Sequence, residues 1–139
     1  MSKPAPSANS AYFFCPPSLE PTLTDERCAI VECLNTTGDA DVSLARAIVA
    51  PGVTTQLHSL TITERYVVES GQGLMEVAGT DVFAIGPGDC VLIPPGVSQR
   101  VRNLGDSELS FLCVCTPRFE PSHYINLEDD STPELTVDA

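Results

Sequence analysis

Positively charged side chains are scarce in this sequence. Its 139 residues hold 19 aspartates and glutamates against 7 lysines and arginines, which gives a formal net charge of −12. Nucleic acids and anionic membranes are both bound by clustered lysines and arginines. The charge balance therefore argues against either of them as a partner, and the acidic surface is interpreted as a contribution to solubility.

Lysine and histidine, two common catalytic residues, are also nearly missing. The single lysine, Lys3, lies in a polar N-terminal stretch, which argues against Schiff-base or lysine general-base chemistry. The only two histidines are His58 and His123. Any histidine chemistry must therefore use one of these two side chains.

Signals for membranes, secretion and structural zinc are lacking as well. No apolar run approaches the length of a membrane span, residues 1–11 lack the apolar segment of a secretory signal, and no CxxC pair occurs. The protein is therefore expected to be cytoplasmic, with reduced cysteines that pack as small hydrophobes. The six cysteines are Cys15, Cys28, Cys33, Cys90, Cys113 and Cys115.

What the sequence does contain is a regular succession of short β-branched runs between residues 27 and 115. Glycine, proline, asparagine and aspartate separate these runs. Such punctuation is typical of an all-β sandwich or barrel. No segment has a convincing helical period with caps, and the one candidate for a short turn lies at residues 122–127.

The length of the chain predicts a single domain. We place it at residues 12–125, after a mobile polar leader at residues 1–11. Residues 126–139 carry five acidic side chains and no basic one, so they are predicted to form an acidic C-terminal tail.

Side chains at alternate positions of two neighbouring runs share one parity. His58, Leu60, Glu64, Tyr66 and Val68 have this parity, and alternate residues of a strand point to the same side of a sheet. The intervening positions are mostly polar, as expected for the outside of a small barrel. If a tight turn links the two runs, one wall of the barrel interior carries His58 and Glu64 together.

The first of two motifs begins at Gly52. Five residues separate Gly52 from His58, three separate Leu60 from Glu64, and six separate Glu64 from Gly71. This spacing resembles the first cupin motif, G(X)5HXH(X)3,4E(X)6G. Leu60 stands where the family has its second histidine.

The second motif begins at Gly88 and follows the cupin pattern G(X)5PXG(X)2H(X)3N. Pro94, Gly96 and Asn103 occupy its landmarks, and Gln99 stands where the family has a histidine. With both motifs present, the chain is identified as resembling a small single-domain cupin. The resemblance implies an antiparallel jelly-roll, or double-stranded β-helix, barrel of about ten strands.

The resemblance also implies a metal site inside the barrel. Cupins hold a divalent transition metal with three histidines and one glutamate, and here His58 and Glu64 match these ligands. Gln99 occupies a third ligand position, whereas Leu60 cannot bind a metal. A His58–Glu64–Gln99 site would be weaker than the complete set, because imidazoles are strong donors for first-row metals. Cys113 is the candidate for a fourth ligand.

The same inward positions have a second interpretation. His58 and Gln99 can form a buried hydrogen-bonded pair, with Glu64 bonded to one of them or to Tyr66, because buried polar groups need partners. Other inward side chains would line an apolar pocket or fill the core. The predicted pocket-lining residues are Leu60, Tyr66, Val68, Met75, Val91, Ile93, Val101, Phe111 and Cys113.

Two classes of function follow from the resemblance. One is a metal-dependent enzyme of the dioxygenase or isomerase type that acts on a small organic molecule. The other is a metal-free small-molecule binding or regulatory cupin without catalytic activity. Acid–base isomerisation by His58 and Tyr66 is a third option. A homodimer is expected, with the proline-broken stretch at residues 12–23 docked on a partner barrel.

Overall fold

The structure, a computed structural model, describes residues 7–8, 12–16 and 22–136. These residues form thirteen strands and one 3-10 helix at Pro121–His123. None of the helical segments described is long and apolar enough to cross a membrane. The strands are β1 (Ser7–Ala8), β2 (Phe13–Phe14), β3 (Thr22–Leu23), β4 (Ala29–Leu34), β5 (Ser43–Val49), β6 (His58–Leu60), β7 (Thr63–Ser70), β8 (Gly73–Val77), β9 (Asp81–Ile85), β10 (Cys90–Ile93), β11 (Gln99–Asn103), β12 (Leu109–Thr116) and β13 (Tyr124–Asn126).

Two antiparallel sheets make up the barrel. One has six strands in the order β10-β7-β12-β5-β4-β3, and the other has five in the order β13-β6-β11-β8-β9. The short strands β1 and β2 pair with each other. This arrangement confirms the all-β, double-stranded β-helix prediction, and the order shows that consecutive strands often lie in opposite sheets.

The link between β6 and β7 differs from the tight turn considered from the sequence. Strand β6 pairs with β11 and β13, whereas β7 pairs with β10 and β12 in the other sheet. His58 and Glu64 therefore do not share one wall. They are buried on facing walls, because the chain crosses between the sheets at Thr61 and Ile62 while the inward parity is kept.

The structure at residues 122–127 also differs from the short turn considered from the sequence. The chain makes a short 3-10 helix at Pro121–His123 and then enters β13. Strand β13 pairs with β6, so that Tyr124 lies opposite Leu60 and Asn126 opposite His58. An exposed three-residue strand of this kind is held by its neighbour and not by its own propensity.

The segment predicted as an acidic tail packs on the barrel in its described part, residues 126–136. Glu128 accepts two hydrogen bonds from the guanidinium of Arg27, at 2.8 and 2.7 Å. Arg100 donates to the carbonyl oxygen of Pro133 at 2.8 Å. Leu135 is only 3% exposed, so an apolar side chain anchors this segment as well.

The motif glycines and the motif asparagine shape the turns. Gly52, Gly71, Gly88 and Gly96 all have positive φ values, between 77° and 90°. Asn103 is buried and donates through Nδ2 to the carbonyl oxygens of Val49 and Ser107, while its Oδ1 accepts from the backbone of a neighbouring turn. The motif residues outside the pocket are therefore structural.

Replacing Gly71 by alanine is expected to destabilise the fold more than the same change at Gly52. Both residues have positive φ, which costs alanine about 1 kcal/mol. A Cβ atom at Gly71 would in addition lie 2.7 Å from the backbone oxygen of Glu108, whereas nothing lies within 4 Å of one at Gly52. Urea unfolding of Gly71→Ala and Gly52→Ala measures the difference, and equal losses of stability would contradict it.

Candidate functional site

A cavity of about 130 Å³ lies between the two sheets at one end of the barrel. His58 and Glu64 line it, as do four of the predicted pocket residues, Leu60, Tyr66, Phe111 and Cys113. His123 does not line this cavity. The structure therefore brings the two motif-matching residues and the aromatic pair Tyr66 and Phe111 to one enclosed space.

The other predicted pocket residues pack in the hydrophobic core. Val68, Met75, Ile93 and Val101 are almost completely buried, and Val91 packs against them. None of the five lines the cavity. Parity identified side chains that point inward, but inward side chains divide between those that line the cavity and those that pack against one another in the core.

His58 is held as a neutral imidazole. Its Nδ1 lies 2.8 Å from the carbonyl oxygen of Gln56, to which it donates, so Nε2 is left as the acceptor nitrogen. Burial lowers the pKa of His58, and the backbone hydrogen bond to Gln56 offsets this only in part. The ring also stacks on Tyr124, with 4.6 Å between the ring centroids.

Glu64 is the least satisfied polar side chain of the interior. It is 7% exposed, and its Oε1 makes no hydrogen bond within the described residues. Oε2 has the thiol of Cys115 at 3.9 Å, which is a weak contact. Burial raises the pKa of Glu64 to about 7, and the nearby charge of Glu26 raises it further, while the Gln99 amide opposes the shift.

Gln99 lies behind the cavity and is completely buried. Its Oε1 accepts a short hydrogen bond from the hydroxyl of Tyr66. Its Nε2 lies near enough to Glu64 to lower the pKa of that carboxyl, but it does not reach hydrogen-bond geometry with any described residue. The predicted His58–Gln99 hydrogen bond is not formed, although the two residues lie opposite each other in β6 and β11: Nδ1 of His58 bonds to the backbone of Gln56 and Oε1 of Gln99 bonds to Tyr66.

Several cavity residues were not recognised in the sequence. Glu26, Cys28, Ile30 and Glu32 all line the cavity. They are spaced at alternate positions along and just before β4, and this spacing was the available signal. Burial raises the pKa of Glu26. Nothing in the sequence indicated that Tyr124 would reach the same space, since it arrives through the pairing of β13 with β6.

The charges that line the cavity are of one sign. Three glutamates, Glu26, Glu32 and Glu64, contribute to its wall, and no lysine or arginine does among the residues described. Burial raises the pKa of the Cys113 thiol and of the Tyr66 hydroxyl well above their ordinary values, and the charge of Glu64 raises both further. These groups are therefore protonated, and the thiols are not nucleophiles. All six cysteines are free.

Two side-chain atoms in the cavity are of a type that binds divalent metals: Nε2 of His58 and a carboxylate oxygen of Glu64. The carbonyl oxygen of Gln99 is taken by Tyr66, and its other atom is an N–H donor, which cannot bind a metal. No group of three histidine, cysteine, aspartate or glutamate side chains in the described part of the chain is arranged to hold a metal. The residues present do not fit a three-ligand centre of the kind that holds metals tightly.

Comparison with known proteins agrees with this architecture. The cupin domain family matches residues 45–115, which include both motifs. An uncharacterized protein of Methanocaldococcus jannaschii, MJ1618, is 34% identical over 104 residues, which span 73% of this chain and 82% of that protein. The chain belongs to the cupin family.

Solved structures share the fold at lower identity. The polyketide cyclase RemF from Streptomyces resistomycificus has a TM-score of 0.67 at 19% identity, covering 81% of this chain and 82% of RemF. Oxalate decarboxylase from Bacillus subtilis has a TM-score of 0.66 at 24% identity, covering 78% of this chain but only 30% of that protein. The decarboxylase has Mn(II) centres. At these identities the likeness establishes the fold alone.

Replacing Glu64 by glutamine is expected to change how stability depends on pH. The pKa of Glu64 is about 7 in the folded chain against 4.5 for an ordinary glutamate. Between these values the unfolded chain binds fewer protons than the folded chain, so stability falls as the pH rises. The full shift corresponds to about 3 kcal/mol.

Urea unfolding at pH 5 and pH 8 measures this effect. Because glutamine does not titrate, Glu64→Gln should reduce the loss of stability between these pH values by about 1–3 kcal/mol relative to the unsubstituted chain. Glu108→Gln, on the exposed surface, is the matched control and should keep the original pH dependence. The same pH dependence in both variants would show that Glu64 titrates in its ordinary range.

Proposed function

We propose that this cupin binds a small organic molecule in its cavity through the carboxyl group of Glu64. The observation that carries the proposal is the unpartnered Oε1 of Glu64, a buried atom of a residue that lines the cavity. A buried polar atom without a partner costs about 1–3 kcal/mol. A ligand that donates a hydrogen bond to Oε1 recovers this free energy, which makes the atom an anchor.

The rest of the wall supports the same conclusion. Apolar side chains such as Ile30, Leu44 and Phe111 cover most of it, and a few polar groups converge at one place. Small-molecule sites generally have this composition. Ala45 and Ala47 lie among larger residues of the wall, and their small side chains leave the space that a ligand would fill.

Ligand entry can be tested with 1-butanol as a neutral probe. Titration into labelled protein, followed by NMR, should shift the amide signals of cavity residues such as Ala47 and Thr55. Ala47→Leu adds a side chain that points into the cavity, so it should weaken the binding of 1-butanol about tenfold or more.

Ala45→Leu fills the cavity from a half-buried position and serves as the second variant if Ala47→Leu does not fold. Glu108→Gln should bind 1-butanol as the unsubstituted chain does. Shifts that are absent, or that persist unchanged in both leucine variants, would show that the cavity does not admit small molecules.

Proton transfer at a bound molecule is favoured by one observation. The pKa of Glu64 lies at about 7, where a carboxyl group can act as both acid and base. Tyr66, the acid or base considered from the sequence, is less suited, because burial raises its pKa and its hydroxyl is engaged with Gln99. An isomerase-like activity would therefore use Glu64, with the neutral His58 beside the same cavity.

A weakly held divalent metal is the second candidate for this site. It is favoured by the same unpartnered oxygen of Glu64 together with the acceptor nitrogen of His58. The Mn(II) centres of oxalate decarboxylase show that a related barrel can hold such an ion. With two donors, and Gln99 as the predicted third ligand bound to Tyr66, the affinity would be low.

Metal binding should increase when the missing imidazole is restored. Leu60 is buried beside the cavity at the family's second histidine position, so Leu60→His should strengthen Mn²⁺ or Zn²⁺ binding at least about tenfold, as measured by equilibrium dialysis. Gln99→His should act in the same direction. His58→Ala should remove whatever metal the unsubstituted chain binds.

The purified protein, prepared without added chelator, is expected to hold less than one metal ion per chain by elemental analysis. One tightly bound ion per chain that His58→Ala abolishes would instead establish the metal site. No gain of affinity in either histidine variant would remove this candidate.

The homodimer and the cytoplasmic location stay predictions. Tyr12, Phe13 and Phe14 are exposed aromatic residues in the stretch expected to dock on a partner barrel. Exposed rings in such number are typical of an interaction surface. Light scattering that returns the mass of one chain at micromolar concentration would contradict the dimer.

A further inference from the structure

The geometry points to a small organic cation as the molecule that this cavity selects, with an ammonium group bound between Glu26 and Glu64. This inference rests on the proposed function, since it names the class of ligand for the same cavity. Two independent observations support it: the single sign of the charges in the wall, and the unpartnered buried oxygen of Glu64 that belongs to that wall.

Among the described residues, the cavity wall holds carboxyl groups and no basic side chain of lysine or arginine. Glu26 and Glu64 belong to this lining. Arg27, which follows Glu26 in the sequence, donates its guanidinium hydrogens to Glu128 and to the carbonyl oxygen of Thr54. When Glu64 is ionised, a cationic ligand would supply the positive charge that the described part of the wall lacks.

The two carboxyl groups enter from different parts of the fold. Glu26 lies just before β4 and is half-buried, whereas Glu64 lies on β7 and is almost completely buried. Their charges influence each other. An ammonium group has three N–H donors, enough for Oε1 of Glu64 and for a second acceptor of the same wall, for which Glu26 is the candidate.

The remaining wall suits the carbon part of a cation. Phe111, Phe119, Tyr66 and Tyr124 present aromatic rings to the cavity, beside aliphatic side chains such as Ile30. Aromatic faces attract organic cations, most strongly where water is excluded. A ligand with a carboxylate group would bind poorly, since it would lie against like charges with no cation to offset them.

Three probes of similar size and different charge test the inference. They are n-butylammonium, 1-butanol and butyrate, titrated into labelled protein at pH 8 and constant ionic strength, with EDTA present to exclude bridging metals. The cation should bind about tenfold or more tightly than the alcohol, because hydrogen bonds to charged groups are the stronger ones. Butyrate should shift no cavity signals.

Isosteric variants identify the carboxyl groups that matter. Glu64→Gln and Glu26→Gln should each weaken n-butylammonium binding about tenfold, and Glu26→Gln should leave 1-butanol binding within about twofold. Glu108→Gln, which removes a charge from the exposed surface, should change neither, and this control separates the site from general attraction by an acidic protein. If Glu64→Gln does not fold, Glu26→Gln and the relative affinities of the three probes still test the inference.

Two negative results are distinguishable. If 1-butanol binds in the cavity as tightly as n-butylammonium, or if butyrate binds more tightly than either, the cation is the wrong class and the proposed small-molecule site stands. If none of the three probes shifts the cavity signals, both the proposed function and the cation fail together. Cation binding that both glutamine variants leave intact also overturns the inference.

Discussion

The carboxyl group of Glu64, enclosed between two sheets, is the constraint on which the organisation of the interior depends. A carboxylate in apolar surroundings costs free energy unless partners compensate it, and Oε1 of Glu64 has none in the described part of the chain. Its pKa of about 7 means that a neutral acid is much of the population near neutral pH. Burial in the same interior lowers the pKa of His58 and raises that of Tyr66, and the charge of Glu64 raises the pKa of Tyr66 further.

The two departures from the cupin motifs belong to the same arrangement. Leu60 places an apolar side chain at one of the family's histidine positions. Gln99 places an amide at another, and the oxygen of that amide accepts a hydrogen bond from Tyr66. The landmarks that shape turns are retained, as the positive φ of Gly71 illustrates. The barrel therefore has the family's architecture, with two of the motif's ligand positions occupied by side chains other than histidine.

Most of the fold could be predicted from local patterns in the sequence. Cys90–Ile93 and Gln99–Asn103 are strands that lie among the short runs between residues 27 and 115, and turn residues with fixed backbone preferences flank them. His58 and Glu64 were found by motif spacing and do line the cavity. The alternation of inward side chains, however, did not distinguish the residues that line the cavity from those that pack in the hydrophobic core. Met75 points inward as the wall residues do, but it packs in the hydrophobic core and does not line the cavity.

By itself the sequence determined the succession of strands, most of the turns and the two residues that match the motifs, since each depends on residues close together or on a known spacing. Only the tertiary structure decided which walls face each other and which polar atoms find partners. Tyr124 reaches His58 through the pairing of β13 with β6, and Glu26 approaches Glu64 from another part of the chain. Such contacts join segments far apart in sequence, and local preferences carry no information about them.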